Sequence, residues 1–226
     1  MVDLGSGTGL STFVWAGRTE RVVGVEPNPG MRCSAEARKG TSSTADKVSF
    51  QSGLSTHTGL PDGCADVVTC AQALHWMEPE GTFAEVSRIL RRGGVFAAYD
   101  YLWPPTMRWE ADVALTTFLD RVASLEEEHG RASDLRRWSK GEHLSRMRAS
   151  GRFRYVKELR VHQAATGNAE RLIGLASSSG AVGALLRKGL SESDLGLDDF
   201  RAVAAEVLGD ELRPWHFSYH VRIGIK

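Results

Sequence analysis

The sequence predicts an α/β fold built on a mostly parallel sheet with helices on both faces. Three observations carry this. Through about residue 100, apolar runs of strand length alternate with helical patterns. The runs are apolar on both faces, as strands covered from two sides are. The closing stretch HFSYHVRIGIK instead alternates strictly between apolar and polar residues, which marks an antiparallel strand near a sheet edge.

The elements follow in order. MVDLGSGTGLST gives a short strand, glycines at Gly5, Gly7 and Gly9, and then the helical stretch LSTFVWAG. RVVGVEP is a second strand ending at Glu26, GMRCSAEARKG a helix closed by Gly40, and KVSFQSG a third strand. ADVVTCAQA is a fourth, nearly all apolar. GTFAEVSRILRRGG reads as a helix with Phe83, Val86 and Leu90 on one face, Ile89 beside them and Gly93 as its stop. GVFAAYDY is the next strand. These make a core over 1–101. Residues 105–150 carry Trp109, Val113, Phe118, Val122 and Leu125 at roughly helical spacing. Residues 167–208 form a second helical set punctuated by Gly180 and Gly189, with Ser191 or Ser193 as an N-cap. Both sets read as insertions forming a substrate lid. RYVKELRVHQ, within 152–163, pairs with the last strand, 215–226, whose polar positions, His216 and His220 among them, form one wet face.

A length of 226 residues suits a single domain spanning 1–226. The 28 basic and 28 acidic residues cancel, so no global field draws in nucleic acid or an anionic membrane. No apolar run approaches the ~20 residues of a membrane span, so neither a membrane span nor a secretory signal is expected. Cys33, Cys64 and Cys70 are odd in number and lack zinc-type spacing, so a reduced, cytoplasmic compartment and no metal are expected.

A glycine-rich strand-to-helix turn brings backbone N–H groups and a helix N-terminus close to a ligand. Glu26 follows Gly5 by about 20 residues, the spacing at which a carboxylate takes ribose hydroxyls and selects a free 2′-OH. A dinucleotide fingerprint needs its third glycine at position 10, which here is Leu10. Tight turns without ligands also exist, but here the turn, Asp3, Glu26 and the alternating elements agree.

These residues resemble the class I S-adenosylmethionine-dependent methyltransferases. VDLGSGTG looks like their motif I, VVGVEP motif II, ADVVTCAQALHW motif IV and LRRGGVFAAYDY the strand 5 motif. AQALHW, ERLIGLASSSG and WHFSYHVRIGIK are similar to the small-molecule branch around trans-aconitate methyltransferase. The resemblance implies a Rossmann-like, seven-stranded sheet with an antiparallel C-terminal strand, and S-adenosyl-L-methionine as cofactor. It places Gly5, Ser6, Gly7, Thr8 and Gly9 under the methionine part, with Asp3 orienting that loop or reaching the methionine amine through water. Glu26 would take the ribose hydroxyls, Pro27 would flank the adenine, and Ala71 and Gln72 would line the methionine end. Leu54 and Ser55 stand where many members carry an acid that meets the adenine amine, so adenine recognition there falls to backbone or Ser55. Members of the family have helices ahead of motif I. This chain starts inside strand 1, from which a front closed by a second copy, a homodimer, or an open and mobile front is expected.

The implied reaction is in-line transfer of a methyl group to an O-, N- or C-nucleophile of a small molecule, for which the protein mainly positions and desolvates. His75 is the best-placed base, after strand 4; the alternative is that it orients Trp76, a pocket wall, or caps the turn before MEPEG. Arg108, Arg136, Arg137 and Arg171 can each hold a substrate carboxylate or be a surface charge. Trp103, Trp109 and Trp138 pack in a core or form an aromatic lid, and His57 is solvated. A methyltransferase fold without transfer activity, serving as a binding subunit or a different catalyst, is the competing reading. Zero net charge and AQAL after strand 4 disfavour a nucleic-acid substrate.

Overall fold

Seven strands and eight α-helices form in the described residues, 1–130 and 136–226, of the computed structural model. In chain order they are β1 (Val2–Leu4), α1 (Leu10–Ala16), β2 (Val22–Val25), α2 (Pro29–Lys39), β3 (Val48–Gln51), β4 (Ala65–Ala71), α3 (Pro79–Ile89), β5 (Leu90–Tyr101), α4 (Trp109–His129), α5 (His143–Ala149), β6 (Tyr155–Gly167), α6 (Ala169–Ser177), α7 (Gly180–Arg187), α8 (Leu197–Leu208) and β7 (Arg213–Ile225). The sheet order is β3-β2-β1-β4-β5-β7-β6. β1 to β5 are parallel. β7 runs against both neighbours, with Gly93 N–H donating to Lys226 O at 3.0 Å, Leu102 N–H to Ser218 O at 2.7 Å, and Arg154 N–H to Ile225 O at 2.9 Å.

Strand order reverses between β1 and β4, the place where open α/β sheets form a crevice at the carboxyl ends of their strands. The register levels that crevice: Asp3 lies beside Gly24 of β2 and beside Thr69 of β4.

The chain divides into two compact units, where one domain over 1–226 was expected. The first holds Met1–Asp100, Arg136–Arg160 and Tyr219–Lys226, and the second Tyr101–Leu135 and Val161–Ser218. Residues 136–150, expected within an insertion, fall in the first unit because Met147 of α5 and Phe153 bury against its core. There Phe83, Phe96 and Phe153 meet in a triad, with the last two stacked at 5.8 Å between ring centroids. The second unit has its own core around Trp215, Phe118 and Phe200. Gly167 makes room for the Trp215 ring, since a Cβ there would stand 2.4 Å from it.

Several expectations are corrected. α3 ends at Ile89 and Leu90 already opens β5, because the backbone of Leu90 is extended and its side chain is buried in the core. α8 is entered through Gly196 at φ 74°, while Ser191 closes a turn with Asp194 instead of capping the helix. Trp109 is 71% exposed, not in a core. The polar face of β7 is not wet near its end: Arg222 is buried with Asp100 and Glu158, and Gly224 lies under Phe153. His220, on that face, is half-buried beside Glu158, whereas His216 is exposed.

Candidate active site at the β1–β4 crevice

The glycine turn is held from both sides. Gly5, Gly7 and Gly9 take φ of 64°, 55° and 84°, the left-handed region that glycine enters at no steric cost. Gly5 and Ser6 donate their N–H groups to Val25 O at 2.9 and 3.2 Å, which ties the turn to β2. A Cβ on Gly5 would stand 2.7 Å from the Ala73 Cβ, so the turn after β4 presses against it. At Gly7 the same test meets no atom within 4 Å: its side-chain direction opens on free space. Gly9 caps α1. Gly24 gives way to Phe50 and to the Ser6 hydroxyl, and that hydroxyl is buried with no protein partner.

Asp3 staples three elements. It accepts the hydroxyls of Thr12, in α1, at 2.7 Å and of Thr69, in β4, at 2.8 Å. Burial pushes its carboxyl up to about 6 against the pull of those hydrogen bonds.

Glu26 follows β2 directly and is almost wholly buried. Its Oε2 accepts the Gly7 N–H at 3.0 Å and its Oε1 accepts the Asn28 N–H at 2.9 Å. Each carboxylate oxygen keeps a lone pair for a further donor. Pro27 is exposed, and its carbonyl and that of Glu26 accept from Arg32. The Thr8 carbonyl accepts from Arg38 at 3.2 Å.

Leu54 exchanges backbone hydrogen bonds with His57 and exposes its side chain. Ser55 Oγ accepts from the Thr82 hydroxyl at 2.8 Å, which leaves its own proton free to donate. Across the turn, Ala71 closes β4 and Gln72 follows at φ 52°. Thus Asp3, the Gly5–Gly9 loop, Glu26, Ala71 and Gln72 come to the carboxyl ends of neighbouring strands.

His75 sits one turn further on, half-buried and tilted against Trp76 with ring centroids 4.9 Å apart. Burial first, then Lys140 and Arg137, pull its imidazole down to about 4, with Asp100 opposing. It is therefore neutral near pH 7. Its Nδ1 is buried without a partner, and its carbonyl accepts the Trp138 N–H at 2.8 Å. That contact brings residues 136–140 to the turn, where Arg137 lies over the Trp76 ring at 4.5 Å and Arg136 over Trp138 at 3.9 Å. Arg108 pairs with Glu110, and Arg171 covers the Trp215 ring; both belong to the second unit.

Sequence reading missed three members of this neighbourhood. The Tyr99 hydroxyl, from β5, meets Ser11 Oγ at 2.5 Å and accepts from Trp15 Nε1 at 3.1 Å, tying α1 to the sheet. Asp100 and Lys140 are the others, ion-paired at 3.1 Å. An acid inside the apolar run GVFAAYDY was the available signal for Asp100, and nothing local marked Lys140. Two further cavities lie away from the crevice. One of about 560 Å³ opens between α4 and α8, and one of about 790 Å³ opens near Met1, Arg21 and Gln51. Neither contains the glycine turn. No group of three His, Cys, Asp or Glu among the described residues is placed to hold a metal ion, and no helix among them is long and apolar enough to cross a membrane.

A switch-point crevice with a left-handed glycine turn on one side and an anchored carboxylate on the other defines a nucleoside-binding α/β domain. Residues 2–98 match the family described as "Methyltransferase domain", and over this segment the chain is similar to S-adenosylmethionine-dependent methyltransferases. The chain is similar to CRG1 of Saccharomyces cerevisiae, a candidate S-adenosylmethionine-dependent methyltransferase. The two are 35% identical over 106 residues, 46% of this chain and 36% of that protein. The matched segment thus spans only about a third of the curated relatives' own length. In fold the chain resembles a candidate type II methyltransferase from Anaeromyxobacter dehalogenans, with a TM-score of 0.69, 22% identity, and coverage of 99% of this chain and 88% of that one. It also resembles geranyl diphosphate C-methyltransferase from Streptomyces coelicolor A3(2), with a TM-score of 0.55, 16% identity, and coverage of 99% and 69%.

Proposed function

We propose that the chain transfers a methyl group from S-adenosylmethionine to a small-molecule acceptor by in-line displacement. The observation that carries this reading is the Glu26 carboxylate, buried at the end of β2 and fixed by the Gly7 N–H, with a free lone pair on each oxygen. Two vicinal hydroxyls of a ribose match that pair of acceptors. The buried hydroxyl of Ser6 and the buried Nε2 of Gln72 lack protein partners, so polar groups on either side of the turn await a ligand.

Bound there, the cofactor supplies the electrophilic methyl group. Gly5, Ser6, Gly7, Thr8 and Gly9 bring backbone close to it, and Asp3 keeps that loop in place through Thr12 and Thr69. Glu26 takes the ribose, Pro27 flanks the adenine, and Leu54 and Ser55 border the adenine edge. Ala71 and Gln72 line the methionine end. His75 is the candidate catalytic group for the acceptor. Its low pKa suits it to accept a hydrogen bond and orient a nucleophile, and makes it a weak base near pH 7. An acceptor that arrives as a carboxylate needs no base.

Calorimetric titration with S-adenosylmethionine and S-adenosylhomocysteine tests cofactor binding. Release of S-adenosylhomocysteine over a panel of small carboxylates, amines and phenols tests transfer. Saturable binding of both compounds and acceptor-dependent release are expected. Absence of binding overturns the reading, and binding without release for any acceptor leaves a binding subunit.

A further inference from the structure

Gln72 follows β4 directly, beside the glycine turn. It is the one described non-glycine residue with a positive φ, a backbone that surrounding contacts must hold. Its N–H donates to Tyr99 O at 2.9 Å. Its Oε1 accepts from Lys140 Nζ at 3.0 Å. Its Nε2 is buried and meets no protein acceptor.

The two ends of a carboxamide have nearly the same shape and opposite hydrogen-bonding character. A lysine ammonium only donates. Lys140 therefore fixes which way the amide faces: the oxygen turns to the ammonium, and the NH2 is left as a donor on the other side. With an acceptor in place of Lys140 the amide would turn over and present its oxygen instead.

Lys140 is itself held from behind. Its Nζ stands 3.1 Å from Asp100 Oδ1, an ion pair without hydrogen-bond alignment. Asp100 Oδ2 accepts from Arg222 Nη1 at 2.8 Å, and Arg222 Nη2 donates to the Lys140 carbonyl at 3.0 Å. Arg222 Nε lies 3.1 Å from Glu158 Oε2. The Arg222 and Asp100 side chains are 3% and 4% exposed, against 42% for Lys140. The chain of charges is thus anchored in the interior at one end and reaches Gln72 at the other.

We propose that Lys140 is a positioning residue of the methyl-transfer site, fixing the Gln72 carboxamide so that its Nε2 donates to an oxygen of bound S-adenosylmethionine. The inference rests on the methyltransferase reading. Lys140 acts through Gln72 and does not itself touch the ligand.

The test is a double-mutant cycle on the full chain, read by calorimetric titration with S-adenosylhomocysteine and by thermal melting. Gln72→Glu keeps an acceptor for Lys140 but removes the donor. It should lower affinity about tenfold without lowering the melting temperature. Lys140→Met should lower affinity about three- to tenfold, and Lys140→Arg should recover most of that loss. In a Gln72→Leu background, Lys140→Met should change affinity no further. Unchanged affinity in Lys140→Met, or an additive loss in the double variant, overturns the inference while the wild type still binds. Failure of the wild type to bind overturns the methyltransferase reading and this inference with it.

Discussion

The Gly7 N–H donates to Glu26 Oε2 at 3.0 Å, so the turn after β1 and the acid at the end of β2 form one construction. The bond bridges 19 residues and fixes the carboxylate before any ligand arrives. Preorganisation of this kind lowers the ordering cost of binding.

Glu26→Ala should weaken S-adenosylmethionine binding by roughly ten- to more than a hundredfold, since hydrogen bonds to a charged group contribute about 1.5–3 kcal/mol each. Glu26→Gln keeps one acceptor and should lose less. Titration calorimetry of both variants checks the order, and equal affinities across wild type and variants would remove the carboxylate from the site.

Gly7→Val should abolish cofactor binding with little change in circular dichroism. The side chain would enter open space, so the fold can admit it. A β-branched residue at φ 55° is a backbone outlier, and it would stand where a ligand must approach. Tight binding by this variant would mean that the turn is structural only.

Arg222→Met should cost on the order of 3–5 kcal/mol, because it leaves Asp100 buried without its guanidinium. Replacing both partners, Arg222→Met with Asp100→Leu, should recover much of the loss. Urea unfolding of the three chains measures this. A single variant as stable as wild type would show that the pair is idle.

Stability should fall as pH drops from about 6.5 to about 4. Burial holds the His75 and His143 imidazoles down at about 4, from an ordinary 6.5. Within that window the unfolded chain takes up protons that the folded rings refuse, so the stability present above pH 6.5 is lost on acidification. Asp3 works in the opposite sense: raised to about 6, it is protonated first in the folded state and offsets part of the decline. Asp3→Asn should therefore make the loss steeper. Denaturant midpoints at intervals between pH 7 and 4 decide the sign.

Local signals determined much of this protein. The alternation of apolar runs with helical periods gave the parallel strands, and period two gave the antiparallel β7, because burial on two faces or one is written directly in residue order. Glycine at 5, 7 and 9 and an acid at 26 marked the crevice, since left-handed backbone and a charged strand end are local requirements. The tertiary structure alone decided the rest. Arg222 reads as a solvated residue in its strand until Asp100, 122 positions away, is brought against it. Lys140 has no local mark at all, and its partner Gln72 lies 68 positions off. The His75 pKa is set by burial and by Lys140, Arg137 and Asp100. Periodicity records which face of an element is covered. It does not record which distant charge does the covering, because that depends on how strands far apart in sequence come to lie side by side.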